Sequence, residues 1–387
     1  MAADGGRRGY QHVIDGFWHE AKLNRVPLPV DEPVSAAAFC NARKKLSAVA
    51  VRQLLRDTAA EFDTRHGRRQ RFHGRRVLAV DGTQIPVQRA AELWDEFGGS
   101  FEGHTPQIMV SVLFDVVAKM PIDAVIAPCV SDERAHLCRL LSSTREGDIL
   151  VLDRGYPSFA VIDLLLEHRV DFVLRVRANG FLAVEEFVRS GQAEADIVLT
   201  PEQRSRYPDF TARRLRAVRR IGLGGEVQVF LTTLPRRPFD HATICELYQR
   251  RWQIELFYRL EKSEYVGHHQ FHAKYAEGIK QEVFAFLLFT AINRTLMAAA
   301  AHASNKPYDR ISQKRSILAT ARALTVVLLE SEPCHARRIL TELLERIAAR
   351  LDPPHRQRNY ERRSFKPRSR WGPHGHRRAA LKKGKLG

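Results

Sequence analysis

Cysteine is scarce in this sequence of 387 residues, and its spacing is irregular. No two of the five cysteines form a CxxC pair; they are Cys40, Cys129, Cys138, Cys245 and Cys334. Zinc ribbons and disulfide frameworks need cysteines at short, regular spacings, so the sequence indicates neither. A reducing compartment fits best.

Long apolar runs and targeting signals are also missing. Residues Met1–Tyr10 are polar and lack the apolar segment of a secretory signal. The longest apolar stretch, Val283–Ile292, is too short to cross a bilayer. We therefore expect neither secretion nor a membrane partner. No internal repeat of fixed period is apparent, which argues against a solenoid.

Acidic residues are too few to balance the basic ones. The 62 Lys and Arg exceed the 44 Asp and Glu by 18, and the pI is near 10.1. Such an excess favours a polyanionic partner. Residues 355–387 hold twelve Lys or Arg and one acid, Glu361, and so supply +11 of it. This basic tail is either a disordered, solvated end or a DNA-binding segment that contacts phosphates through Arg368 and Arg370, and we favour the second.

The length and the 44% apolar content predict two or three structural units. Apolar residues at three- and four-residue spacings predict helices over Val34–Leu46 and Ala48–Phe62. Between Arg65 and Arg76 lie six arginines and two histidines, which form either a phosphate-contacting linker or a solvated connector. We interpret residues 1–75 as a helical DNA-binding region with a basic linker.

The pattern then changes to short β-branched runs typical of strands. We predict strands at Val77–Val80, Ile108–Val117, Pro121–Pro128, Ile149–Leu152 and Asp171–Val176. Helices are predicted over Asp132–Leu141 and Ser158–His168. This order predicts an α/β fold class, with a mixed sheet flanked by helices, over residues 76–178.

The remaining chain divides into a strand-rich part and a helical part. Strand-like pieces at Ile197–Leu199, Arg213–Ile221 and Val227–Thr233 predict a β-rich insertion over residues 179–240. Helical spacing returns over Ala242–Lys262, Ala276–Ala301, Gln313–Glu330 and Pro333–Leu351. Residues 241–302 would complete the first domain, followed by C-terminal helices at 303–354 and the tail at 355–387.

Two aspartates follow apolar runs. Asp81 comes directly after Val77–Val80, and Asp153 directly after Ile149–Leu152. Sheets of this class bind ligands at the carboxyl ends of their strands, so the two carboxylates could form the floor of a divalent-metal site. For either aspartate alone, a strand-terminating turn residue is the favoured interpretation.

The predicted helix 242–262 carries a polar stripe. Tyr248, Arg251, Glu255 and Lys262 are spaced three, four and seven residues apart, which places them within roughly 60° of the helix circumference. A carboxylate beside two cations and a phenol suits metal binding next to DNA phosphates. The alternative is a solvated face with an ordinary Arg251–Glu255 pair.

These residues carry a family resemblance. The segment from Tyr248 to Lys262 resembles the Y-x2-R-x3-E-x6-K signature of DDE transposases of the insertion-sequence-four family at all four fixed positions. Asp81-Gly82-Thr83 and Asp153-Arg154-Gly155-Tyr156 resemble the two aspartate motifs of that family. The similarity extends over roughly Val77 to Arg294.

The resemblance implies an RNase H-like catalytic domain interrupted by the β-rich insertion. Asp81, Asp153 and Glu255 would be catalytic and hold two Mg²⁺ ions, with Mn²⁺ as a substitute. Tyr248, Arg251 and Lys262 would position DNA phosphates.

The implied activity is metal-dependent cleavage of transposon inverted-repeat ends and strand transfer into target DNA. A homodimer would assemble on paired ends, in a bacterial-type cytoplasm and associated with the nucleoid. The alternatives are an RNase H-like nuclease without strand transfer and a DNA-binding protein without catalysis.

Two further candidates are less specific. Tyr156 either stacks on an extruded base or packs under the sheet. His268, His269 and His272 resemble a metal cluster by count, but a polar loop is the favoured interpretation.

Overall fold

The sheet is built around the strand Val77–Pro86 (β1), which pairs with a hairpin on one side and with a parallel strand on the other. The computed structural model describes residues 9–99, 105–201, 210–222, 224–260 and 271–353. All the elements below lie in one unit, Met1–Leu351, and the remaining residues, from Asp352, form a second unit. Arg368 and Arg370 of the tail lie outside the described residues.

Eight strands form one sheet in the order β3-β2-β1-β4-β5-β8-β7-β6. They are β1 (Val77–Pro86), β2 (Gln107–Asp115), β3 (Met120–Pro128), β4 (Ile149–Leu152), β5 (Asp171–Val176), β6 (Glu194–Leu199), β7 (Arg213–Ile221) and β8 (Val227–Thr232). β1 runs antiparallel to β2 and parallel to β4, and β4 runs parallel to β5. The first five strands have the RNase H-like arrangement, so the predicted fold class is confirmed.

Twelve α-helices lie in the described residues. They are α1 (Tyr10–Leu23), α2 (Ala36–Arg43), α3 (Ala48–His66), α4 (Ala91–Phe97), α5 (Glu133–Leu140), α6 (Phe159–Glu167), α7 (Leu182–Arg189), α8 (His241–Arg250), α9 (Trp252–Leu260), α10 (Ala276–Ala303), α11 (Gln313–Leu329) and α12 (Pro333–Ala348). The sequence did not predict α1, α4 or α7. Every residue of β4 is buried, as expected for a central strand with both faces covered.

Helix α3 is fastened to the sheet by a buried carboxylate. Asp123 of β3 is fully buried, and it accepts hydrogen bonds from Arg52 at 2.7 Å and Arg56 at 2.6 Å. A buried charge without such partners would be strongly destabilising. The second predicted N-terminal helix is therefore joined to the sheet by specific charge pairs.

Helix α10 is apolar and long enough to cross a membrane by length and composition. The sequence expectation was that no apolar stretch reaches this length, because Val283–Ile292 alone is short. In the structure 61% of the most apolar 18-residue segment of α10 is buried, and the helix packs on α3, α12 and β3. This is the pattern of a core helix.

The strands of the predicted β-rich segment continue the main sheet. β8 pairs antiparallel with β5 through Val173↔Thr232, and β7 and β6 follow outward. The three strands therefore share one hydrogen-bonded sheet with β1 and β4.

Two details of the sequence prediction are wrong. β1 does not end before Asp81: it continues to Pro86, because Thr83 and Ile85 stay paired with β2. The predicted single helix over Ala242–Lys262 is two helices, with Arg251 at the junction between α8 and α9. Around Arg251 the backbone bonds tighten to a three-residue spacing, since Ile254 N donates to Arg251 O.

Candidate active site

Asp81 lies within β1, where its side chain is partly buried. Opposite it in the antiparallel register is Val112 of β2. Asp153 follows β4 directly, as predicted. The parallel register Ala79↔Val151, continued two residues along both strands, brings Asp153 level with Asp81. Neighbouring strands lie about 4.8 Å apart, so the two aspartates are adjacent.

The turn after Asp153 is held by two sets of hydrogen bonds. Asp153 Oδ1 accepts from Gly155 N at 2.8 Å, which makes an Asx-type turn. Arg134 of α5 donates to Gly155 O through Nε at 3.1 Å and Nη2 at 3.0 Å. Helix α5 therefore fixes the segment that carries Asp153.

Tyr258 of α9 joins the helix to the centre of the sheet. Its side chain is buried, and its Oη donates to Asp81 O at 2.7 Å and accepts from Val112 N at 3.2 Å. Glu255 precedes Tyr258 by three residues and so lies on a similar side of α9. The docking of one tyrosine thereby brings Glu255 to the β1 aspartate.

Glu255 is paired with Arg251, as the alternative interpretation of the polar stripe expected. The pair is not a solvated surface pair, because the Arg251 side chain is 13% exposed and that of Glu255 is 28% exposed. Both charges act on Asp81: Arg251 lowers its pKa, and Glu255 raises it.

The pKa of Asp81 is raised to about 7. Burial is the largest cause, Arg251 opposes it, and the negative charges of Asp153, Glu133 and Glu255 add to it. The charges of the other two predicted carboxylates therefore act on Asp81, with Arg251 as the compensating cation.

Glu133 is a fourth acid that the sequence did not single out. It is the first residue of α5, after the N-cap Asp132. Its carboxylate lies against Gly82 and accepts a hydrogen bond from Tyr156 Oη at 3.0 Å. An acid after an N-cap is ordinary at a helix start, so no local signal indicates that it faces Asp81.

Tyr156 is 2% exposed. Of the two alternatives from the sequence, the packed position is the one observed. Its contact with Glu133 connects the turn after Asp153 to α5.

Tyr248 is also buried, and its ring packs on Phe230 at 4.6 Å between centroids. Burial raises the pKa of its hydroxyl, whereas Arg251 and Arg175 lower it. The third DNA-contacting candidate on the signature, Lys262, lies outside the described residues, as do His268 and His269. His272 is described: its backbone N donates to Glu282, and its ring contacts Tyr10.

The residues fit a divalent metal by donor type. The groups around Asp81 are carboxylates, the hard oxygen ligands that Mg²⁺ and Mn²⁺ prefer, and their excess negative charge would be offset by a cation. Within the described residues, no three acidic, histidine or cysteine side chains stand as a preformed ligand set. Glu255 is instead engaged by Arg251.

Comparison with known proteins points to one family. The family described as Transposase DDE domain matches residues 72–294. Transposase InsG for insertion sequence element IS4, from Escherichia coli (strain K12), is 25% identical over 297 residues, which cover 72% of this chain and 65% of that protein. The chain thus spans slightly less than two thirds of that relative's length.

Two further similarities are weaker or more remote. Putative transposase y4zB, from Sinorhizobium fredii (strain NBRC 101917 / NGR234), is 26% identical over 280 residues, or 69% of this chain and 72% of that protein. A solved piggyBac transposase synaptic complex with hairpin DNA has 9% identity and a TM-score of 0.41, covering 69% of this chain and 57% of that one. Because the family match spans more than half of its residues, this chain belongs to the transposase DDE domain family.

Proposed function

We propose that this chain is a DNA transposase that cuts the ends of an insertion sequence and joins them to target DNA. The observation that carries the proposal is that the negative charges of Asp153, which follows β4, and of Glu255, on α9, both act on the partly buried Asp81 of β1. Family membership supplies the reaction class, and the net charge of +18 suits a DNA substrate.

Asp81, Asp153 and Glu255 are the proposed metal ligands. Two bound Mg²⁺ or Mn²⁺ ions would activate the attacking hydroxyl and stabilise the leaving oxygen of an in-line displacement at phosphorus. Glu133 adds a fourth negative charge beside Asp81. Its role in the proposal is to favour cation binding and to hold Tyr156 and the turn after Asp153 in place.

The protein's own residues hold the segments of this site in place. Tyr258 fixes α9 on β1, and the Asx-type turn orients the Asp153 carboxylate. Arg251 has a partly buried guanidinium that reaches Glu255. An arginine in that position can pass from the carboxylate to a DNA phosphate, since its planar fork suits both groups.

The DNA-binding residues in this proposal are Tyr248, Arg251 and Lys262, with Arg368 and Arg370 of the tail. The proposed domains are those expected from the sequence. They are a DNA-binding region at 1–75, a catalytic domain at 76–178 and 241–302, the β-rich segment 179–240, C-terminal helices at 303–354 and the basic tail at 355–387. Two chains would act together on paired inverted-repeat ends, in the cytoplasm and on the nucleoid.

Joined products distinguish a transposase from a nuclease that stops after cleavage. Purified protein is incubated with Mg²⁺, a pre-cleaved duplex carrying the inverted repeat that flanks the coding sequence, and a supercoiled target plasmid. We expect covalent end-to-plasmid products from the wild type and from Glu246→Gln, and none from Glu255→Gln. Glu246 is the matched control, because it also pairs with an arginine four residues away, on α8, but is exposed. If the wild type forms no joined products here but cleaves an uncut end in a parallel reaction, the nuclease is indicated instead.

A further inference from the structure

A polar cavity lies away from the acidic site. It has a volume of about 490 Å³ and opens between the end of α3, the end of α10 and the turn before Tyr308. Its polar wall is formed by His66, Arg69, Gln70, His302, Asn305 and Lys306, which we call the basic pocket. The volume falls within the roughly 300–1,000 Å³ of ordinary ligand sites.

The basic pocket lies at the opposite end of the central strands from Asp153. Tyr308 Oη donates to Ala118 O at 2.5 Å, in the turn between β2 and β3. That turn adjoins the start of β1, since Val116 N donates to Val77 O at 3.0 Å. Asp153 follows the end of β4, which runs parallel to β1, so the two sites are separate.

Charge in the basic pocket is of one sign. No carboxylate is among the described residues that line it. Four other arginines of the linker have acidic partners: Arg65, Arg71, Arg75 and Arg76 pair with Glu61, Asp63, Asp171 and Asp148 respectively. Arg69 instead contacts Nδ1 of His302. Most of the arginine-rich linker is therefore structural, whereas Arg69 faces a cavity.

The pKa of His66 is affected by this positive charge. The pKa of His66 is lowered, mainly by burial and then by the charges of His302, Arg65 and Arg69. A positive region with hydrogen-bond donors and no counter-charge is suited to an anion. Arg69 offers a planar fork for phosphate oxygens, Lys306 a point charge, and Gln70 and Asn305 amide donors.

We propose that the basic pocket binds a phosphate group. Two sources carry this chemistry: free phosphate or pyrophosphate, and a phosphate of the DNA backbone. The first is independent of the proposed transposase activity, whereas the second rests on it. A bound backbone phosphate would hold DNA at the end of the central strands that is remote from the acids.

The test compares two doubly substituted proteins of equal charge with the full-length wild type. Arg69→Gln with Lys306→Gln removes two cations of the basic pocket. Arg189→Gln with Arg346→Gln removes two exposed arginines that are paired with Glu185 and Glu342 and do not line it. Because Lys306 Nζ also donates to Ala348 O, Arg69→Gln with His302→Gln serves as a second pocket variant that leaves this bond intact.

Pyrophosphate binding is measured by calorimetry at constant ionic strength, and duplex binding by fluorescence anisotropy across a salt series. We expect the pocket variants to lose at least about tenfold in affinity for one of the two ligands, while the control stays within about twofold of the wild type. If DNA is the source, the slope of log K against log salt also falls by about one for each lost phosphate contact.

Each outcome is informative. Loss of pyrophosphate binding alone identifies a free-anion site, and loss confined to DNA identifies a backbone contact. Equal behaviour of pocket and control variants in both assays would overturn the proposal. Neither assay involves DNA cleavage, so an inactive transposase site and an absent phosphate site are separately detected.

Discussion

The carboxylate of Glu133 lies directly against the backbone of Gly82. A Cβ added at position 82 would come within 2.7 Å of the Glu133 carboxyl carbon. Gly82 lies in the middle of β1, so glycine is needed here for space rather than for an unusual backbone conformation. The Asp-Gly motif thus admits a second acid beside Asp81.

Gly82→Ala should push the Glu133 carboxylate away from Asp81. We expect DNA cleavage to slow by about tenfold, roughly 1.4 kcal/mol, because the fourth charge and its bond to Tyr156 are displaced. Unfolding in denaturant should change by only about 1 kcal/mol, since the displaced group is the end of a flexible side chain. In a Glu133→Ala background the same substitution should have little further effect on cleavage. Additive effects in this double-mutant cycle would contradict the steric account.

Tyr258→Phe tests how α9 is held on the sheet. Loss of the hydroxyl leaves Asp81 O without this donor and Val112 N without this acceptor, so we expect a stability loss of about 1–3 kcal/mol. Tyr275→Phe is the matched control, because its hydroxyl oxygen is also buried and has no hydrogen-bond partner in the described part of the chain. Chemical denaturation of both variants provides the measurement. A control that loses as much stability as Tyr258→Phe would exclude a specific role for this contact.

The raised pKa of Asp81 predicts that ionisation of this carboxyl lowers the stability of the metal-free protein as the pH rises. Its pKa is about 7 in the folded state against the ordinary 3.8 of an aspartate, so the folded state binds more protons between these pH values. Stability contributed by this group therefore falls as pH rises through that window. Asp81→Asn removes the ionisable group and with it this destabilisation. The variant should be more stable than the wild type at pH 8 by about 1–2 kcal/mol, a value reduced to allow for partial solvent exposure of the carboxylate.

Denaturant unfolding in EDTA at pH 4.5 and pH 8 checks this prediction. The advantage of Asp81→Asn should shrink toward zero at the lower pH, where the wild-type carboxyl keeps its proton. Glu246→Gln, remote from Asp81 and exposed, should show no such pH-dependent gain. A constant difference between Asp81→Asn and the wild type at both pH values would mean that the charge at position 81 is not responsible.

Some of this fold could be predicted from local sequence. Strands β4 and β5 begin and end where the apolar runs do, because central parallel strands are buried on both faces. Asp153 sits at a strand end as predicted. The four-point spacing from Tyr248 identified the family segment even though the helix is broken at Arg251.

Other features depend on long-range contacts that local sequence does not encode. β1 passes through Asp81 because the following residues, Gly82–Pro86, pair with β2, and the partner of Asp81 itself, Val112, lies 31 residues later in the chain. The break at Arg251 involves neither Gly nor Pro and accompanies the docking of Tyr258 on β1. Glu133 reaches the site from α5, so only the packed structure distinguishes it from other helix-start acids.

Cleavage of the element's own end is the most direct test of the central claim. A labelled duplex carrying the inverted repeat is incubated with wild type, Asp81→Asn, Glu255→Gln and Glu246→Gln, each with Mg²⁺ and with EDTA. The account predicts Mg²⁺-dependent cutting by the wild type and Glu246→Gln, and rates at least about 10³-fold lower for the other two. Wild-type rates from Glu255→Gln, or undiminished cutting in EDTA, would contradict it.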